Sequence, residues 1–245
     1  MRKWMNRFMQ IMIAAAFLAA AFFTGRQAAV LVDSLAVQTA EEVYQEDYSG
    51  MQKFCVVVDA GHGGNDPGKV GVNGALEKDL NLAIAKRLAV LLKQADVRVV
   101  MTRETDDGLY DENASGKKVQ DMKRRIALME EADPDLVVSI HQNSYDGESI
   151  KGAQVVYYTG SEEGKKLAEL IQKRMVYGLD PENHRTEKEN DSYYLLKKTT
   201  RPIVIVECGF LSNTQEAELL CDPLYQEKVA WQVHLGILQY LNSTI

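Results

Sequence analysis

At 245 residues, with 46% hydrophobic and 26% charged residues, the chain has the composition of an ordinary globular protein, and its length permits one domain or two. A formal net charge of −7, with no basic tract beyond short pairs such as Lys117-Lys118, withholds the positive surface that phosphate backbones require, so nucleic acid is excluded as a partner. Cys55, Cys208 and Cys221 form no C-x-x-C spacing and signal neither a disulfide framework nor a cysteine metal site; they are expected to be buried and reduced, with a single disulfide left open.

Arg2, Lys3 and Arg7 precede an unbroken apolar run from Ile11 to Phe23. That is the charged region and short hydrophobic region of a secretory signal. The run falls short of a membrane span of about 20 residues. A small-residue cleavage site is poorly defined, so residues 1–25 read as a signal peptide or a membrane anchor. Residues 26–52 turn polar and acidic, with Glu41, Glu42, Glu46 and Asp47, and read as a spacer. Residues 53–245 have a length typical of one domain with a single core.

Within that domain, short β-branched runs alternate with longer helical patterns, which predicts an α/β fold. Strands are expected at Phe54–Asp59, Val97–Thr102, Leu136–His141, Ala153–Tyr158 and Pro202–Glu207. Helical spacing links Leu80, Ile84, Leu88, Leu91 and Leu92, then Met122, Ile126 and Met129, then Leu167, Leu170, Ile171 and Met175. A last helix is expected from about Tyr225 to Leu241.

Three of the strands end in residues that carry chemistry. Val56-Val57-Val58-Asp59 runs into Ala60-Gly61-His62-Gly63-Gly64, Val137-Val138-Ser139-Ile140 into His141-Gln142-Asn143, and Val204-Ile205-Val206 into Glu207-Cys208-Gly209. Ligands of open α/β sheets bind outside the carboxyl ends of the strands, so His62, His141 and Glu207 project toward one crevice. Glu77 follows the glycine-rich loop at the start of the helix carrying Leu80, and that loop can fold it back over the sheet end. Two histidines and a carboxylate with an open fourth position is the composition of catalytic zinc sites. Taken singly, each histidine reads as a satisfied core residue and Glu77 as a first-turn glutamate complementing the helix dipole. Glu207 resists such a reading, because a carboxylate ending an apolar strand is rarely buried without a partner.

Val58–Gly68, Glu77–Asn81, Thr102-Arg103, Val138–Asn143 and Val206–Asn213 together resemble the zinc-dependent N-acetylmuramoyl-L-alanine amidase family, in order and across nearly the whole domain. The resemblance implies a mixed sheet flanked by helices, a Zn2+ ion on His62, Glu77 and His141, and Glu207 as catalytic acid/base. It implies hydrolysis of the amide between N-acetylmuramic acid and L-alanine in peptidoglycan, Glu207 taking a proton from water and passing it to the alanine nitrogen. The short form behind a signal or anchor is similar to the germination-associated amidases of spore cortex, which trim stem peptides for muramic δ-lactam formation. An activating protein partner is left open. The departures are Ala60, where the family commonly has proline, and the stretch from Pro181 to Ser192; these bear on substrate contacts. The rival readings are a zinc peptidase cutting within the stem peptide and a non-catalytic wall-binding domain on the same scaffold. Retention of all four residues speaks against the second.

Other signals are weaker. Gly63, Gly68 and Lys69 fit the opening of a P-loop, but Val70 stands where Ser or Thr would hold magnesium. Cys208, beside Glu207 on a strand, points to the opposite face and is read as packing, not as a thiol nucleophile. His184 and His234 read as surface or structural residues. Arg103 and the Arg124-Arg125 pair could reach stem-peptide carboxylates, with surface pairing as the expected role.

Overall fold

The computed structural model describes residues 53–243; the signal or anchor and the spacer expected at residues 1–52 lie outside them. Six strands, β1 (Phe54–Ala60), β2 (Val97–Met101), β3 (Leu136–Asn143), β4 (Gln154–Tyr158), β5 (Lys188–Asn190) and β6 (Ile203–Phe210), form one sheet in the order β2-β1-β3-β6-β4-β5. Pairing is parallel from β2 through β6, antiparallel between β6 and β4, and parallel again between β4 and β5. The mixed sheet flanked by helices is therefore present. No described helix is long and apolar enough to cross a membrane.

The helices are α1 (Glu77–Gln94), α2 (Lys117–Glu131), α3 (Glu162–Leu179), α4 (Tyr194–Lys198), α5 (Thr214–Cys221) and α6 (Pro223–Ser243). The two-residue period of the strands divides their apolar side chains between two cores. Val56, Val58, Val138, Ile140, Val204 and Val206 point to one face, where they meet Leu80, Ile84 and Leu88 of α1, Leu167 and Ile171 of α3, and Val233 and Ile237 of α6. Val57, Val137, Ile203 and Ile205 point to the other face, against Met129 of α2 and Leu195 and Leu196 of α4. Because β1, β3 and β6 are covered on both faces, they read as continuous apolar runs without alternation.

All five expected strands and the four expected helices form. Three elements were not expected. β5 is a three-residue edge strand of polar residues held by backbone pairing to β4, α4 is too short to display a period, and the eight-residue α5 is capped by Asn213, whose side chain accepts from the Glu216 amide. The three cysteines are free, but Cys221 is exposed, against expectation: it ends the short α5 at the surface, while Cys55 and Cys208 are buried.

Candidate active site

The strand faces determine what shares the cleft. On β1, β3 and β6 the residues facing α2 and α4 continue beyond the apolar core as Asp59, Ser139, His141 and Glu207, with Ser139 in register with Asp59 and Glu207 in register with His141. These side chains emerge at the carboxyl end of the parallel strands, as expected for an open sheet. Asp59, His141 and Glu207 line a cleft of about 580 Å³ together with His62, Asp66, Glu77, Gln142, Tyr193 and Tyr194, with Ser139 buried behind them against Asp59.

Glu77 is the first residue of α1 and is nearly inaccessible, at 2% exposure. The loop 61–76 returns the helix over the sheet end through hydrogen bonds from the Glu77 amide to the Lys69 carbonyl and from the Lys78 amide to the Pro67 carbonyl. The Glu77 carboxylate is fixed from several sides: Oε2 accepts from the Lys69 amide at 2.8 Å, and Oε1 from the Gln142 amide at 3.1 Å. Asn81, one turn along α1, donates to the Gly61 carbonyl and accepts from the Gln142 side chain, tying the three segments together.

His62 and His141 converge on the same oxygen of that carboxylate. His62 Nε2 lies 3.2 Å and His141 Nδ1 3.0 Å from Glu77 Oε1, with the two rings edge-to-face. The ligand-type atoms of His62, Glu77 and His141 all lie within 4.8 Å of one another. His62 has φ 62°, in the left-handed region that non-glycine residues seldom occupy. Such strain costs roughly 1–3 kcal/mol and persists where surrounding contacts over-determine it. Two glycines make the close approach possible. A Cβ on Gly61 would run into the His141 ring, and one on Gly68, itself at φ 69°, would sit 2.8 Å from both Glu77 Cβ and His62 Cδ2.

The charges follow from this packing. Burial disfavours ionised Glu77, but hydrogen bonds and charge from His141 and His62 prevail and hold it far below the usual carboxylate range. Burial likewise disfavours protonated His62, yet Glu77 and Asp66 raise its pKa on balance. Glu207 goes the other way: burial pushes it up to about 7, opposed by the charge of His141 and assisted by that of Glu77. Its Oε2 is buried without a hydrogen-bond partner among the described residues.

The residues fit a metal ion by the chemistry of their donors. His62 Nδ1 is 3.1 Å from Asp66 Oδ2. With Nδ1–H donated to Asp66, His62 Nε2 faces the anionic Glu77 Oε1. There a cation held by His62, Glu77 and His141 would take the place of the proton that the raised pKa of His62 otherwise keeps. A carboxylate behind a ligating imidazole is also the usual support of a zinc histidine. Asp66 was not singled out from the sequence, although its spacing of four from His62 was legible.

His184 is exposed and His234 buried beside Trp231, both apart from the cleft, and neither joins the cluster. Cys208 faces the opposite core, where burial raises its thiol pKa. The expectation for the arginines is corrected. Arg124 pairs at the surface with Asp111, but Arg103 and Arg125 are buried. Arg125 is charge-paired with fully buried Asp59 and with Asp121 at 2.6 Å each, because the cleft-facing end of β1 needs a counter-charge.

Compared with known proteins, the chain matches the N-acetylmuramoyl-L-alanine amidase family over residues 56–239. It is similar to the germination-specific N-acetylmuramoyl-L-alanine amidase of Bacillus subtilis, with 38% identity over 77% of this chain and 80% of that protein. Among solved structures, the CwlD amidase from Clostridioides difficile, determined in complex with the GerS lipoprotein, is 38% identical with a TM-score of 0.76, covering 78% of this chain and all of that one. An N-acetylmuramoyl-L-alanine amidase from Clostridium difficile 630 is 33% identical with a TM-score of 0.70, covering 79% of this chain and 100% of that one.

Proposed function

This chain belongs to the N-acetylmuramoyl-L-alanine amidase family, and we propose that it cuts the amide between N-acetylmuramic acid and L-alanine with a zinc ion on His62, Glu77 and His141 and with Glu207 as acid/base. The observation that carries this reading is the convergence of His62 Nε2 and His141 Nδ1 on Glu77 Oε1 in the cleft that also receives the unpartnered Oε2 of Glu207.

When bound, zinc supplies Lewis acidity, polarising the scissile carbonyl and making water acidic near neutral pH. The protein supplies the rest. Glu207, with a pKa near 7 set by the protein groups, can accept a proton from water and return it to the departing alanine nitrogen, a transfer that general acid–base catalysis favours near the working pH. Burial of its carboxylate excludes bulk water as a competing proton partner. Asp66 and the Lys69 amide hold the outer atoms of His62 and Glu77, so the donor set stays oriented. Tyr193 and Tyr194, half exposed on the cleft wall, offer flat apolar surface for a glycan or stem peptide.

The germination-specific relative supports a role in germination; spore cortex as the substrate and muramic δ-lactam formation as the outcome rest on the sequence resemblance to that group. Arg2, Lys3, Arg7 and the apolar run Ile11 to Phe23 support export, and the lipoprotein bound to the Clostridioides difficile relative supports a protein partner. Metal analysis of the purified protein combined with mass spectrometry of digested sacculi tests the reading. About one zinc per chain and free L-alanine amino termini are expected. Cleavage within the stem peptide would replace the amidase with a peptidase, and full activity without metal would remove the zinc.

A further inference from the structure

We propose that Arg103 and Arg125 act as positioning residues, a pair of guanidinium clamps that hold the backbone of Ala60, Gly61 and His62 so that the His62 imidazole meets Glu77. The proposal rests on the reading of His62 as a metal ligand.

The carbonyls of these three consecutive residues all end on the two side chains. Arg125 Nη1 donates to the Ala60 carbonyl at 2.8 Å and Nη2 to the His62 carbonyl at 2.6 Å. Arg103 Nε donates to the Ala60 carbonyl at 2.9 Å and Nη2 to the Gly61 carbonyl at 3.1 Å. Neither arginine is free to follow the loop. Arg125 is pinned by Asp59 and Asp121, while Arg103 Nη1 donates to the Thr105 carbonyl and Nη2 also to the Lys78 carbonyl. The last bond matters most, because Lys78 follows Glu77 on α1. One nitrogen of Arg103 thereby ties the segment leading into His62 to the turn of helix carrying Glu77.

The fork geometry explains why these positions are arginine. A guanidinium presents five N–H groups in a fixed plane, so Arg125 serves two carbonyls and two carboxylates at once, whereas a lysine ammonium offers three donors at a single point. The loop is shaped to admit the side chain. Gly63 has φ 133°, and a Cβ there would sit 3.0 Å from Arg103 Nε and 2.8 Å from the Asp107 carbonyl. Burial and the neighbouring Arg125 also press the pKa of Arg103 below its usual value. Two cations are thus buried side by side, and what they share is the grip on the one segment whose histidine is held at φ 62°. Released from the clamp, His62 can relax to an extended backbone, which swings its ring away from Glu77.

The test compares full-length wild type, His62→Ala, Arg125→Lys, Arg103→Lys and a control core variant, Val137→Ala, whose side chain is fully buried in the apolar core. Zinc affinity is read by competition with a chromophoric chelator, and ligand geometry by the absorption spectrum of the cobalt(II) form, at a temperature where circular dichroism shows each protein folded. Each Arg→Lys variant should raise the zinc dissociation constant about 10- to 100-fold, the usual penalty for losing a group that orients a metal ligand, and shift the cobalt bands. Val137→Ala should change neither. Wild-type affinity and spectrum in both lysine variants would overturn the clamp, as would an equal loss in Val137→Ala. If Arg125→Lys does not fold, Arg103→Lys, which keeps the Asp59–Arg125 pair, decides alone. A wild type that binds zinc no better than His62→Ala overturns the ligand reading, and the clamp with it; tight binding by wild type alongside weak binding by His62→Ala isolates the clamp as the point at issue.

Discussion

His141 and Glu207 stand directly beside one another in the parallel pairing of β3 with β6, so the sheet register places a candidate ligand and the candidate proton carrier on the same face. Glu77 reaches that face from a helix terminus instead. The two glutamates therefore separate experimentally. Glu77→Ala leaves two imidazoles and should lose most of the metal, with activity falling as a consequence. Glu207→Gln should keep zinc near stoichiometric while the rate falls by about 10² to 10⁴. Zinc content and amidase rate measured on the same preparations check this. Loss of zinc in Glu207→Gln with retention in Glu77→Ala would reverse the two roles.

Gly61→Ala should disable the site without a backbone penalty. Gly61 does not occupy the left-handed region, so alanine is conformationally admissible there, but its Cβ would enter the His141 ring. The imidazole has to move, and its bond to Glu77 breaks. Zinc affinity should fall by at least about 10-fold. A crystal structure of the variant with His141 unmoved and metal bound as in wild type would contradict this.

The strands that lead to His62, His141 and Glu207 are legible because each is a run of β-branched residues that meets an abrupt polar residue, although β3 and β6 continue past His141 and Glu207 to Asn143 and Phe210. What the sequence withheld are pairings. Arg125 and Asp59 are 66 residues apart, and nothing in either local pattern announces that they meet in the interior. Arg103 looked like a surface residue for the same reason, since a buried guanidinium is betrayed only by the carbonyls it serves. β5 was invisible because an edge strand of Lys188, Glu189 and Asn190 is held by main-chain bonds that carry no side-chain signature.

Cys208 should prove chemically silent. It is completely buried, burial and the neighbouring Glu207 raise its thiol pKa, and its sulfur lies on the sheet face opposite the cleft. Cys221 is exposed. Iodoacetamide at neutral pH should label Cys221 in the folded protein and leave Cys208 unmodified, and Cys208→Ala should retain most activity. Peptide mass spectrometry after labelling checks the first, and loss of amidase activity in Cys208→Ala would restore the thiol as a participant.

Asp59 gives the acid side of the stability profile. Its carboxylate is fully buried; burial alone would raise its pKa, but the charge of Arg125, the hydroxyls of Ser139 and Thr102 and the charge of His141 bring it down to about 2. The unfolded chain holds an aspartate near 3.9. A depressed folded-state pKa means that the unfolded state binds the proton first, so the stabilisation is complete above about pH 4 and is lost as the pH falls through about 2. Asp59→Asn removes this term together with the counter-charge of Arg125. At neutral pH the variant should be less stable by about 3–5 kcal/mol, the usual cost of stripping one partner from a buried ion pair. Below pH 4 the gap between variant and wild type should narrow, because acid discharges Asp59 in the wild type and the variant has nothing there to discharge. Denaturant unfolding followed by circular dichroism on metal-free protein from pH 7 to pH 2 measures both quantities. A gap that stays constant over that range would show that Asp59 is held by its hydrogen bonds in either protonation state, and that its charge contributes little.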